Sequence, residues 1–377
     1  MKKKIAIAFI TASNPLDKKS WSGIYYQMHN GLANNIEKVE CIGPIPLFFI
    51  KAMAVTNRIT KFFFGKGYNY KNSIVLSFIH SKFIQFKLRG KKFDYIFAPA
   101  ASTEVAFLKT NIPIIYCSDS SFGQLNEYYD TYSNLFDFSV NESNLIEQKG
   151  IQKAKFLTYP SIWAKSYVEQ NYVNKATTKV IPFGANINQE YIYFEPKTIS
   201  KAEEINLLFL GVDWYRKGGE IVYDSFLQLI EKGYNVSLTV CGCIPPIVHN
   251  KMEIIPFLDK NKNEDLIRLT TLFSAAHFLF LPSKAECFGI VFCEASAFGI
   301  PSITRNTGGI GNAVINGVNG YCLDEKSNSD AYTLQLQNLI ENEEEYKKLS
   351  LSSRKLYEDE LNWDHWAKEV IAMLETK

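Results

Sequence analysis

The chain has 377 residues, too many for one ordinary core, so two domains of roughly 180 residues each are expected. With 46% hydrophobic, 14% aromatic and 21% charged residues it carries too much apolar material for a disordered chain, and no apolar run approaches the ~20 residues of a membrane span. The net charge of +2 hides a split: residues 1–190 hold 23 basic against 13 acidic side chains, and residues 191–377 hold 18 against 26.

The start, Met1-Lys2-Lys3-Lys4 and then Ile5–Ile10, has the outline of a leader peptide. Its apolar stretch is short for that job and runs into Asn14-Pro15, so a buried first strand is expected. Further strands in the first half are read at Tyr95–Ala98, Ile112–Cys117 and Lys155–Leu157, with helices near Ile24–Ile36, Thr103–Leu108 and Trp163–Gln170. Between Cys41 and Phe93 lie ten basic residues and no acid, interleaved with Phe62-Phe63-Phe64, Tyr68, Tyr70, Phe78, Phe83 and Phe86. Two amphipathic helices are expected there, their aromatics in the core. The missing acids point to a surface role, a peripheral contact with anionic membrane through residues 51–92. A nucleic acid would also meet such a surface, but the acidic second half argues against it.

Near residue 182 the texture changes to Pro182-Phe183-Gly184-Ala185-Asn186, then to a polar stretch with Pro196, a linker candidate. Alternation resumes with strands at Ile205–Leu210, Val236–Val240, Phe278–Leu281 and Ser302–Thr304, and helices from Gly219, Glu264 and Gly289. The end reads as three helices, Ala331–Leu339, Glu343–Leu356 and Asn362–Leu374. Strands alternating with helices give two doubly wound parallel sheets, and such sheets bind ligands beyond the carboxyl ends of their strands. Seven scattered cysteines without C-x-x-C are read as reduced thiols of a cytoplasmic protein, not as a zinc site. The five histidines show no ligand spacing, and Trp163 reads as core.

The segment Phe278–Pro301 carries the most chemistry. A buried strand ends at Pro282-Ser283, a loop bears Glu286, and a helix opens near Gly289. The first turn of a helix leaves about four N–H groups without intrahelical partners and carries partial positive charge. A phosphate can therefore approach the amides of Gly289, Ile290 and Val291, with Phe288 beside them. Glu294, five residues into the helix, suits a ribose diol, and Glu286 faces whatever lies beyond the phosphates.

Glu286 and Glu294, spaced E-x7-E in E-C-F-G-I-V-F-C-E, resemble the signature of the retaining GT-B glycosyltransferases of the GT4-like group. Val180–Asn186 is similar to that family's linker approach, Phe209–Gly219 to its phosphate-binding turn, Trp21–Ile24 to its N-terminal glycine loop, and Asn362–Trp366 to the start of its closing helix. The resemblance implies two Rossmann-like domains facing a cleft: an acceptor-binding domain over 1–190, a nucleotide-sugar-binding domain over 200–360, and a closing helix, 361–377, returning to the first domain. It implies transfer of a sugar from a nucleotide diphosphate sugar to a hydroxyl, with retention and without metal or other cofactor. The acceptor is expected to be a glycan or lipid-linked glycan of bacterial surface polysaccharide, and the setting the inner face of the cell membrane. Arg216 and Lys217 would stabilise the departing diphosphate, although the family's arginine directly after the strand glycine is here Val212. Ser22 and Gly23 would let backbone reach the phosphates, or form an ordinary turn. Asp119, where the family carries a histidine, would orient the sugar or take a proton, or cap the next helix. Phe257 and Leu258 would contact the base, and the loop Thr307–Gly311 would line the sugar pocket or be a plain loop. An epimerase of the same fold, or a non-catalytic sugar-nucleotide binder, would share this site.

Overall fold

The computed structural model describes residues 2–46 and 48–375. The chain divides into two compact units: one runs to Ile181 and takes in the residues from Ala367 onward, and the other is Pro182–Trp366.

The first unit has a six-stranded sheet in the order β2-β1-β3-β4-β5-β6, every pair parallel. Its strands are β1 (Lys3–Ile10), β2 (Ile36–Ile42), β3 (Tyr95–Pro99), β4 (Ile114–Cys117), β5 (Ala154–Tyr159) and β6 (Thr177–Val180). Its helices are α1 (Ile24–Asn35), α2 (Phe48–Phe64), α3 (Ile74–Leu88), α4 (Ser102–Val105), α5 (Phe122–Leu125), α6 (Asp137–Lys153) and α7 (Ile162–Asn171). Residues 7–10 of β1 and all of β4 are buried, as strands covered on both faces must be. Ile84 of α3, Ile151 of α6 and Val168 of α7 close on them, with Trp163 partly buried against that core.

The second unit repeats the plan in the order β12-β11-β10-β7-β8-β9, again all parallel. Its strands are β7 (Ile205–Leu210), β8 (Val236–Cys241), β9 (Met252–Ile255), β10 (Phe278–Leu281), β11 (Ser302–Arg305) and β12 (Gly320–Leu323). Its helices are α8 (Gly219–Glu231), α9 (Asn263–Ala275), α10 (Ile290–Ala297), α11 (Ser329–Ile340) and α12 (Glu343–Asp359), followed by α13 (Trp363–Glu375), which runs from this unit into the first. The strand order reverses between β7 and β10 here, and between β1 and β3 in the first unit. At such a reversal the loops leaving neighbouring strands diverge and open a crevice.

One expectation is overturned. The aromatics of residues 62–64 are not core: Phe62, Phe63 and Phe64 are 80%, 70% and 68% exposed, and Phe78 and Phe86 are also exposed. Three consecutive helical residues span about 200° of the helix surface, so no single buried stripe can take all three. Phe83 does pack on the core, alongside Ile84. No helix among the described residues is long and apolar enough to cross a membrane.

Candidate functional site

In the second unit the reversal between β7 and β10 is occupied by the residues the sequence singled out. The loop after β7 carries Arg216 and Lys217, and the loop after β10 carries Glu286. The two loops are laced together: Lys284 N–H donates to the Arg216 carbonyl at 2.7 Å, and Arg216 Nη1 donates to the Ala285 carbonyl at 2.9 Å. Gly218 makes this approach possible. Its φ is +77°, and a Cβ there would lie 2.3 Å from the Pro282 carbonyl oxygen, a contact no side chain can make.

Lys217 Nζ donates to Glu286 Oε2, and Arg216 Nη1 lies 3.8 Å from the same oxygen. Lys217 is buried, so its ammonium is no solvated surface charge. Asp213 fixes the turn, accepting the Arg216 backbone N–H at 3.0 Å, with its carboxylate 3.7 Å from Arg216 Nε. Two cations therefore converge on one carboxylate beside the start of α8. Glu286 is fixed from behind as well: its carbonyl accepts the Gly309 N–H at 3.2 Å, which brings the Thr307–Gly311 loop against it.

Gly289 is the N-cap of α10, with φ +89°. That left-handed turn points the first N–H groups of the helix, including those of Ile290 and Val291, out of its N-terminal end. Phe288 lies here too, but its ring is buried edge-on to Phe183 at 5.5 Å. Its side chain is packing, and only its backbone is available to a ligand. Glu294 is the fifth residue of α10 and 2% exposed. Its carboxylate accepts from Lys260 Nζ at 2.5 Å. The loop that supplies Lys260 follows β9 and also carries Phe257, which is exposed, and Leu258, which is half-buried. Lys260 had escaped the sequence reading, because a lysine in Asp-Lys-Asn-Lys-Asn carries no local signal. Burial and the negative charge of Glu294 hold the Cys293 thiol well above its ordinary pKa, so it stays protonated.

Ser22, Gly23 and Asp119 belong to the first unit. Trp21, Ser22 and Gly23 all have positive φ, at 47°, 56° and 91°, which costs Trp21 and Ser22 of order 1–3 kcal/mol each. The strained loop is tied down: Trp21 Nε1 donates to Asp119 Oδ2 at 3.3 Å, and its ring lies 5.1 Å from that of Tyr25. Asp119 is not the helix cap. Ser121 takes that position in a capping box with Gln124, while Asp119 Oδ1 accepts from the Ser120 hydroxyl at 3.2 Å. The role of Trp21 as a partner of Asp119 was likewise not visible in the sequence.

A cavity of about 390 Å³ lies in the second unit toward the amino ends of β7, β8 and β9. Within its lining Ser237 Oγ donates to Asn206 Oδ1 at 2.6 Å, and it holds none of the residues above.

Residues 194–356 match the model of the family described as glycosyl transferases group 1. A capsular polysaccharide biosynthesis glycosyltransferase of Staphylococcus aureus is 29% identical over 164 residues, 42% of this chain and 43% of that protein. The chain spans about half the length of the curated relatives it matches. Among solved structures, a sucrose-phosphate synthase from Thermosynechococcus elongatus superposes with a TM-score of 0.71 at 17% identity, over 98% of each chain. Anabaena HepE, in complex with UDP and glucose, gives 0.64 at 15% identity, over 99% of this chain and all of that one. The two doubly wound units thus have the GT-B fold of these neighbours.

Proposed function

We propose, from the match of residues 194–356 to the group 1 glycosyl transferases, that the chain moves a sugar from a nucleoside diphosphate to an acceptor hydroxyl with retention. The observation that carries this reading is the pair of cations, Arg216 and Lys217, held with Glu286 where β7 and β10 diverge. When the glycosidic bond to the diphosphate breaks, its electron pair passes to the phosphate oxygen. Fixed positive charge aimed there is worth more in the transition state than in the ground state. Burial of Lys217 strengthens the effect, because low-dielectric surroundings screen it less.

Glu286 would orient the sugar once diphosphate has taken over its cations. The new bond forms between the anomeric carbon and the acceptor oxygen on the face the phosphate leaves, and the acceptor proton goes to that phosphate oxygen. No protein nucleophile and no divalent ion is required in this scheme. The UDP and glucose held by Anabaena HepE support a nucleoside diphosphate as the leaving group. The test is turnover against a panel of nucleotide sugars, with the product's anomeric configuration read by NMR and chelator added in parallel. An inverted product, or activity lost to the chelator and restored by a divalent ion, would overturn the scheme.

We assign acceptor binding to the first unit, with Asp119 offered to the sugar or the acceptor. The acceptor we propose is a lipid-linked glycan of surface polysaccharide, a reading supported by the capsular relative from Staphylococcus aureus. A membrane-side setting is supported by α2 and α3, where Phe62, Phe63, Phe64, Phe78 and Phe86 stand exposed among Lys51, Arg58, Lys61 and Lys82. Aromatic wedges ringed by cations suit an anionic bilayer at the cytoplasmic face. Flotation with anionic vesicles should carry the protein up and neutral vesicles should not. Equal behaviour with both removes the membrane contact.

A further inference from the structure

Glu294 presents a physical problem that its neighbourhood answers. Glu294 is only 2% exposed, and burying a carboxylate without a partner is costly. The compensation is Lys260, whose ammonium meets Oε1 at 2.5 Å while the lysine side chain stays 24% exposed. The lysine therefore approaches from the solvent side, and it engages one carboxylate oxygen.

The loop presenting Lys260 is itself fixed. Asp259 N–H donates to Asp265 Oδ2 at 2.9 Å, at the start of α9, and Asn261 N–H donates to Asp259 Oδ1 at 3.0 Å. The Lys262 N–H closes the turn on the Asp259 carbonyl at 2.7 Å. A fixed loop, a fixed ammonium and a helix-borne carboxylate together leave Oε2 with a defined direction. Two vicinal hydroxyls can donate to an acceptor so held.

Resting on the donor site proposed above, we infer that Lys260 is a positioning and specificity residue. It holds the Glu294 carboxylate aimed, so that the site takes nucleoside diphosphates with an intact ribose 2′,3′-diol and discriminates against 2′-deoxy forms. Neither glutamate of the E-x7-E pair does this alone: the Lys260 ammonium on Oε1 sets which way the second carboxylate oxygen of Glu294 faces.

The experiment is calorimetric titration of the full chain with UDP, ADP and GDP, their 2′-deoxy counterparts, and inorganic pyrophosphate. The parent should prefer the ribonucleotide it binds over its deoxy form by about tenfold, the effect of one charge-assisted hydrogen bond. Lys260→Met should weaken the ribonucleotide by about that factor, bring it level with the deoxy form, and leave pyrophosphate unchanged. Lys260→Arg should restore part of the preference. The inference is overturned if Lys260→Met keeps the preference, or if all three ligand types weaken together, which would mark a purely structural lysine. If Lys260→Met fails to fold, the parent and Lys260→Arg at raised pH and salt decide by the same ribose preference. A parent that binds none of the three nucleotides would instead overturn the donor site itself.

Discussion

Glu147 offers a test of the physical reasoning that is independent of the site. It lies on α6 in the first unit, 3% exposed, and its carboxyl shares a hydrogen bond with Tyr116 Oη at 2.9 Å. Burial raises its pKa from 4.5 to about 7, against the smaller opposing pull of hydrogen bonds from Tyr116 and Ser102. The folded state therefore binds this proton more tightly than the unfolded chain does. The resulting stabilisation is complete below about pH 4.5, is lost as pH rises from there to 7, and is gone above. The difference corresponds to roughly 3 kcal/mol, a large share of the ~5–15 kcal/mol that holds a domain together. Glu147→Gln removes the ionisation while its amide oxygen still accepts from Tyr116. Tyr159, whose buried hydroxyl has no hydrogen-bond partner among the described residues, lies near enough to feel the charge of Glu147. Urea denaturation followed by circular dichroism at pH 5, 6, 7 and 8 should show the variant gaining on the parent by about 2.5 kcal/mol across that range. A difference that stays flat with pH would refute the reasoning, because a packing or hydrogen-bond effect has no cause to titrate.

At the site, Lys217→Ala should lower kcat by about 10²–10³ while changing donor affinity little, as expected of a cation acting on transition-state charge. Glu294→Ala should show the reverse pattern, donor Kd rising at least about tenfold with kcat at saturation nearly kept; two variants indistinguishable from the parent would remove the site. Gly218→Ala should cost at least about 2 kcal/mol, read as a lowered Tm, since its Cβ would strike the Pro282 carbonyl at 2.3 Å in a left-handed conformation. Trp21→Phe keeps a ring against Tyr25 but deletes the N–H given to Asp119. Turnover should fall by about tenfold with donor binding unchanged, measured by the split between kcat and KM, and parental kinetics would show that Asp119 needs no such holding.

The amino-acid order by itself determined the interior of each sheet. β7 and β10 are visible as Ile-Asn-Leu-Leu-Phe-Leu and Phe-Leu-Phe-Leu because a strand covered on both faces reads as a nearly continuous apolar run. The strands that escaped are β2, β6, β9 and β12, and these are the four sheet edges. An edge strand such as Thr-Thr-Lys-Val faces solvent and needs no apolar run, so it leaves no periodicity to read. The glycine turns that open α8 and α10 were visible for a related reason: a glycine before a helix acts on its immediate neighbours. What only the tertiary structure decided is which distant side chains meet. Lys217 with Glu286, Lys260 with Glu294, and Trp21 with Asp119 are 69, 34 and 98 residues apart. Each pair is brought together by the order in which strands lie in a sheet, a global choice that no local window encodes. The same holds for Phe62–Phe64, whose exposure follows from where α2 lies and not from how apolar it is.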